Sequence, residues 1–227
     1  MPMLEVLDLY KTYYDAGAPV PVLAGLGLEI ERGQMVGVVG DSGAGKTTLL
    51  YLIGALERPT SGRVLFDGAD VFPLGIQDAQ LAEFRNRKVG FVFQFHGLIP
   101  EFNTLENTMM PALIADLPFD EAARLAAHVL GELGLGERLT HKPGELSGGE
   151  QQRVAFGRAL VMEPELILAD EPTGNLDAAT GEHLWDMMFD INQRKGTTFI
   201  VVTHNEKLAR RMPRLLRLAN GKLEPAA

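Results

Sequence analysis

The chain has 227 residues, a formal net charge of −9 and no cysteine, with 46% hydrophobic and 22% charged residues. That length suits one domain with a substantial core, and the composition excludes a disulfide-stapled mini-protein, a disordered chain and a collagen-like repeat. The acidic balance argues against a broad basic face, so no nucleic acid is expected as main partner, and the lack of cysteine removes thiolate metal sites and a cysteine nucleophile.

Met1 to Lys11 contain acids and no long apolar run, so no secretory signal is expected there. Met35–Val39 is the first apolar run without alternation, and Val89–Phe93, Leu166–Ala169 and Phe199–Val202 repeat the pattern. Such runs predict strands covered on both faces, as in a parallel sheet. Helical patterns lie between them: Leu49, Leu50, Leu52, Ile53 and Leu56 after the first run, and Leu184, Met187, Met188 and Ile191 before the last. The alternation predicts an α/β fold. From about residue 95 to 158 no comparable strand run occurs, and Ala122, Leu125, Ala126, Val129, Leu130 and Leu133 follow helical spacing with His128 among the opposite, polar residues. The apolar stretch Met109–Ala115 contains Pro111 and is far shorter than the roughly 20 residues of a membrane helix. Any membrane crossing is therefore expected from other subunits. Asn220-Gly221 predicts a hairpin turn.

Gly40-Asp-Ser-Gly-Ala-Gly-Lys-Thr47 fits G-x-x-x-x-G-K-[ST] between a predicted strand and a predicted helix. Glycines there let backbone N–H groups curl around an anion, and the following helix adds the positive end of its dipole. Lys46 is then placed to reach β and γ phosphates, and the Thr47 hydroxyl to ligate Mg2+. Leu166-Ile-Leu-Ala-Asp170-Glu171 ends a buried strand on two carboxylates: Asp170 for Mg2+ through its water shell, Glu171 to polarise the water that attacks the γ-phosphate. Leu146-Ser-Gly-Gly-Glu150-Gln-Gln-Arg153 reads locally as a capping box, with Ser147 capping and Glu150 reaching back. A capping box does not account for Gly148 and Gly149, which predict a second helix terminus that something approaches closely.

These stretches, over nearly the whole chain and in order, resemble the ATP-binding cassette (ABC) ATPases. Gly40–Thr47 resembles the Walker A loop, Gln94 the Q-loop glutamine, Leu146–Gln151 the signature, Leu166–Glu171 Walker B, Asn175-Leu-Asp177 the D-loop and His204 the switch histidine. The resemblance implies an α/β P-loop NTPase (RecA-like) core with a parallel sheet, N-terminal antiparallel β strands and an inserted α-helical subdomain. The whole of 1–227 would be a single cassette, with core 1–94 and 159–227 and a helical subdomain of about 95–158. It implies ATP and Mg2+ as cofactors, with nucleotide held by Gly40, Asp41, Ser42, Gly43, Ala44, Gly45, Lys46, Thr47, Thr48, Gln94, Ser147, Gly148, Gly149, Glu150 and Asp177, and metal by Thr47, Gln94 and Asp170. Catalysis falls to Glu171, His204 and Lys46. Tyr13 matches the adenine-stacking aromatic, with Tyr10 and Tyr14 as neighbouring candidates.

One chain carries one loop and one signature, so the family's composite sites imply a second copy and an ATP-sandwiched homodimer. Gln94-Phe-His-Gly-Leu-Ile-Pro-Glu-Phe-Asn-Thr-Leu-Glu-Asn107 is most similar to the lipoprotein-releasing branch, and macrolide-exporter-type and cell-division-type cassettes are the alternatives within transport. Gly97 and Gln151 depart from that branch's usual histidine and arginine, and Asp41 and Ala44 from the loop's usual serines. A soluble, non-transport ABC ATPase would bring two cassettes, a coiled coil or basic extensions, and the sequence shows none. The branch implies integral inner-membrane subunits as partners and a peripheral place on the cytoplasmic side of the inner membrane. Phe95, Leu98, Ile99, Pro100 and Phe102 are predicted to line a groove for a short helix of such a subunit. His183 is read as helix surface, and the clusters Arg85–Lys88 and Arg210, Arg211, Arg214 and Arg217 as solvated faces.

Overall fold

The computed structural model describes residues 1–226. The chain opens on two long strands, β1 (Leu4–Asp15) and β2 (Ala18–Ile30), before β3 (Met35–Val39) and α1 (Lys46–Ile53). β4 (Ser61–Phe66), β5 (Ala69–Asp70), α2 (Asp78–Lys88) and β6 (Val89–Val92) follow. Then come α3 (Thr104–Ile114), α4 (Phe119–Glu132) and α5 (Gly148–Leu160). The chain ends with β7 (Leu166–Asp170), α6 (Ala178–Lys195), β8 (Thr198–Val202), α7 (Glu206–Ala209), β9 (Arg214–Ala219) and β10 (Lys222–Pro225).

The predicted apolar runs lie in one six-stranded sheet of order β10-β9-β3-β8-β7-β6, parallel except for β10. Their side chains alternate between two cores. Val36, Val38, Leu166, Leu168, Ile200 and Val202 pack with α1 and the N-terminal strands, whereas Met35, Ile167, Ala169, Phe199 and Val201 pack with α5 and α6. A strand buried on both faces has no polar side to show, and this is why the sequence there does not alternate. The N-terminal strands form a separate antiparallel sheet, order β2-β1-β4-β5, whose Leu4, Val6, Leu9, Leu26, Leu28 and Ile30 close the first core. Asn220 and Gly221 both have positive φ (50° and 73°) and join β9 to β10 with Ala219 opposite Lys222, the two-residue turn that an Asn-Gly pair favours.

No strand interrupts the chain between β6 and β7 among the described residues. α4 buries Ala122, Ala126, Val129 and Leu130 and exposes His128, as its spacing predicts, and His183 on α6 is exposed as well. Pro111 lies inside α3. α5 serves two layers: Val154 packs with Leu130, Leu135 and Leu146, while Phe156, Ala159 and Leu160 pack on the parallel sheet. Among the described residues no helix is long and apolar enough to cross a membrane.

The two basic clusters are less solvated than their sequence predicts. Arg85 donates to the Ala55 carbonyl (2.7 Å), Lys88 pairs with Glu165, and Arg214 donates to the Glu29 carbonyl (2.6 Å), so these three bind the layers together. Phe156, fully buried on α5, lies 6.3 Å from Phe199 of β8, centroid to centroid. Phe156→Ala is expected to lower stability by about 3–5 kcal/mol. Leu74→Ala, at a fully exposed position, should change it by less than about 0.5 kcal/mol. Equilibrium denaturation of the two variants checks the contrast.

Candidate functional site

β3 delivers the chain to Gly40, and Gly40 to Gly45 form the loop into α1. Gly45 adopts φ 99°, and a Cβ there would stand 2.6 Å from Val22 Cγ1, so only glycine fits. The first turn of α1 has neither a side-chain cap nor an acidic residue, which leaves its free N–H groups and dipole available to an anion. Lys46 is buried, and its Nζ donates to the carbonyls of Gly40 (2.8 Å) and Asp41 (2.9 Å). An ammonium carries three donors, so a further one remains for a ligand in the loop.

β7 ends at Asp170, whose Oδ2 accepts the Thr47 hydroxyl at 2.8 Å. Burial raises the Asp170 pKa above the usual aspartate value, and the neighbouring Glu171 charge adds to the rise; Thr47 and Lys46 act against it. A carboxylate whose charge is disfavoured in this way suits a divalent cation. Thr47, Gln94 and Asp170 offer oxygen donors alone, the set a hard ion such as Mg2+ prefers.

Glu171 has φ 48°, a left-handed conformation that costs roughly 1–2 kcal/mol for a residue with a Cβ. Its N–H donates to Val202 (2.9 Å), its Oε2 accepts the Thr203 hydroxyl (2.8 Å), and its Oε1 accepts the His204 N–H (2.8 Å) and lies 2.8 Å from His204 Nδ1. Lys46, Thr47, Thr48, Gln94, Asp170, Glu171 and His204 thus line one cavity of about 510 Å³, with Ser42, Gly43 and Gly45 at its loop side. They meet because β3, β8 and β7 are parallel neighbours, so their C-terminal ends share one edge.

Ser147, Gly148, Gly149, Glu150 and Asp177 do not line that cavity. Ser147 caps α5, with Glu150 bonded back to its N–H and hydroxyl (2.8 Å each) and paired with Arg138 (3.2 Å). The Ser147 N–H is the largest influence holding the Glu150 pKa down at about 2, followed by the hydroxyl. The two glycines differ. A Cβ at Gly149 would meet Thr180 Cγ2 at 2.4 Å, so close packing against α6 accounts for it, whereas at Gly148 the nearest atom is Leu176 Cδ2 at 4.0 Å. Asp177 caps α6 through Thr180 (3.1 Å). Tyr13 Oη lies 3.4 Å from Thr48 Oγ1 and donates to Glu57 (2.7 Å), while Tyr10 Oη lies beside Gly25 and Tyr14 is exposed.

A family profile described as "ABC transporter" matches residues 23–174, more than half of the chain. The chain belongs to the ABC transporter family. Lipoprotein-releasing system ATP-binding protein LolD of Syntrophus aciditrophicus is 55% identical to this cassette over 225 residues, covering 99% of the chain and 100% of the relative. The protein of the same description from Myxococcus xanthus is 50% identical over 100% of both chains. Among solved structures, the dimeric bacterial ABC transporter cassette MJ0796 superposes with a TM-score of 0.88 at 38% identity, covering 98% of this chain and 97% of that one. A post-hydrolysis dimer of MJ0796 bound to ADP and Pi gives 0.88 at 36% identity, over 98% of both. The cassette is an ATPase of that family.

Several residues around the cassette's cavity make bonds that no motif announces. Asn175 Nδ2 donates to the Gln94 carbonyl (3.0 Å), and Gln94 Nε2 to Asn175 Oδ1 (3.3 Å). From α5, Gln152 donates to the Phe93 carbonyl (3.1 Å) and contacts His96, and Arg158 donates to the carbonyls of His96 and Gly97 (2.7 Å each). Fully buried Asn107 pins the loop further on, donating to Ile99, Phe102 and Asn103 and accepting from Ile99. The predicted groove at Phe95–Phe102 is displaced accordingly. Phe95 is exposed but Leu98 packs inside the helical layer, and the apolar cavity of about 430 Å³ nearby is lined by Leu56, Phe91, Phe93, Pro111, Ile114 and Met162.

Glu150 gives a pH test. Its pKa falls from 4.5 to about 2, so the stability it contributes is complete above about 4.5 and is lost as the pH falls toward 2. Glu150→Gln should be less stable than the parent at pH 7, and the gap should close progressively below pH 4.5. Denaturation midpoints of both proteins from pH 7 to 3 measure it; a pH-independent gap would assign the effect to packing alone.

Proposed function

We propose that this protein is the ATP-hydrolysing subunit of a transporter that releases lipoproteins from the inner membrane, working as two copies closed around two ATP molecules. The supporting observation is the single cavity in which a phosphate-binding loop faces Asp170, Glu171 and His204. ATP phosphates occupy the loop against the N-terminus of α1, where Lys46 has a donor left after bonding Gly40 and Asp41. Thr47, Gln94 and Asp170 hold Mg2+, which when bound offsets phosphate charge and orients the oxygens. Glu171 takes a proton from water as the water oxygen bonds to the γ-phosphorus and the bridging oxygen leaves with ADP. His204, beside Glu171, contacts the γ-phosphate, and Tyr13, next to Thr48, stacks on adenine.

Two copies are needed because Ser147 to Glu150 and Asp177 stand outside the cavity of their own chain, so they serve the partner's nucleotide. The solved relative MJ0796 is dimeric in both structures described above. Release of lipoproteins follows the relatives described as LolD. Spanning then falls to integral inner-membrane subunits of the LolC/LolE kind, with this chain peripheral on the cytoplasmic side. The helical stretch 95–158 transmits closure to them, and the apolar cavity between Phe93 and Ile114 receives a short helix of the membrane subunit.

Glu171→Gln should keep MgATP binding, lower turnover by roughly 100- to 10,000-fold and trap an ATP-dependent dimer visible by gel filtration. A mixture of Lys46→Ala and Ser147→Arg chains should recover ATP-dependent dimerisation that neither shows alone, since each heterodimer rebuilds one composite site; specific activity independent of protein concentration would contradict the two-chain site. Ile114→Glu, at an exposed position on the cavity wall, should reduce co-purification with the membrane subunits while basal ATPase and Tm stay at the parent values.

A further inference from the structure

Thr203 follows β8 directly, and it is 1% exposed. Its N–H donates to the Val38 carbonyl at 3.1 Å, which fastens it to β3 beside the phosphate-binding loop. Its hydroxyl accepts the Asn205 N–H (3.0 Å) and donates to Glu171 Oε2 (2.8 Å). A hydroxyl has one proton, and an N–H can only donate. With Asn205 on the acceptor side, the Thr203 O–H is directed at the carboxylate.

The other holds on Glu171 differ in permanence. Its Oε1 receives the His204 N–H and faces His204 Nδ1, but the His204 side chain is 69% exposed and can turn toward a ligand. Glu171 itself sits at φ 48°, where a non-glycine residue persists only if its surroundings fix it. When the imidazole moves, the two fixed donors left on the carboxylate are the backbone of His204 and the buried hydroxyl of Thr203. A valine has the same shape and would continue the apolar run Phe199–Val202, so packing alone does not call for the hydroxyl.

We propose that Thr203 is a positioning residue for hydrolysis, its hydroxyl fixing the Glu171 carboxylate in the orientation that receives the proton of the attacking water. The proposal rests on the assignment of Glu171 as the base. Its rival is that the hydroxyl only braces the turn into α7 through Asn205.

The test uses the full chain, with kcat and KM for MgATP, nucleotide-dependent dimerisation and Tm. Thr203→Val should lower kcat roughly 10-fold or more, the effect of losing a hydrogen bond to a charged group, with KM and dimerisation unchanged. Thr203→Ser should restore most of kcat, and Thr203→Cys, with a weak donor, should fall between them and serves if the valine variant does not fold. Asn205→Ala, which loosens the α7 turn without touching Glu171, should keep the parent kcat. In a Glu171→Gln background, Thr203→Val should leave the single-turnover rate unchanged. The proposal is overturned if Thr203→Val keeps the parent kcat, if Thr203→Ser is as slow as Thr203→Val, if Asn205→Ala reproduces the loss, or if the loss persists in the Glu171→Gln background. Parent-level turnover by Glu171→Gln alone would instead remove the base assignment, which separates the two failures.

Discussion

The hydrogen bond from the Thr47 hydroxyl to Asp170 joins the first turn of α1 to the end of β7, and the rest of the site is arranged around it. The two strands that carry these residues are not adjacent: β8 lies between β3 and β7. The bond therefore closes over the end of β8, and Thr203 and His204 emerge in the gap. A parallel sheet makes this possible because all three strands end at one edge. The left-handed turn at Glu171 belongs to the same constraint. It bends the chain back after β7, so that the Glu171 N–H meets Val202 of β8 and its carboxylate meets the residues that follow.

A second set of bonds ties this edge to α5. Arg158 reaches the carbonyls of His96 and Gly97, and burial lowers its pKa. A half-buried guanidinium that has already given up part of its hydration loses more when its carbonyl partners leave, which favours the contact. Gln152 holds the Phe93 carbonyl from the same helix, and the N-terminus of that helix is the Ser147 cap. Gln94 at the cavity and Ser147 at the far end of α5 are thus joined through one helix and these hydrogen bonds.

What the sequence discloses follows the number of residues that each feature needs. The four core strands are legible because each spends a whole run of residues on burial from both sides, and the loop because its glycines and Lys46 must fall at fixed spacing. Thr203 is invisible in this way: one polar residue at the end of an apolar strand has no pattern, and its partner Glu171 is remote in sequence. Asn107 and Arg158 escape for the same reason, since each serves backbone carbonyls, which any sequence supplies. Gly149 shows how one glycine can answer two demands: the sequence reads it as admitting a ligand, and the fold also uses it to admit Thr180. The groove expected after Gln94 shows a different limit, because apolar residues in a loop do not reveal which side they face: Leu98 packs on the helical layer, Phe95 stays exposed, and the nearby apolar cavity is lined from β6, α3 and the segments around Leu56 and Met162.

Charge within the cavity bears on why such a site would open after hydrolysis. Its charged lining residues are Lys46 against Asp170 and Glu171, an excess of negative charge for a ligand that is itself an anion. Binding there cannot rest on side-chain charge alone. It rests on backbone N–H groups of the loop and of α1, whose partial charges are fixed and already oriented, and, on the reading proposed, on a divalent cation brought with the nucleotide. On the reading proposed, the γ-phosphate is the part that lies nearest Glu171 and is shared with the partner's Ser147 terminus. Once its bond to ADP is broken, nothing covalent retains it between those groups. On that reading the shared anion is what holds the closed dimer, and the reaction, by cutting the γ-phosphate loose, removes the contact without any change in the two protein surfaces that made it.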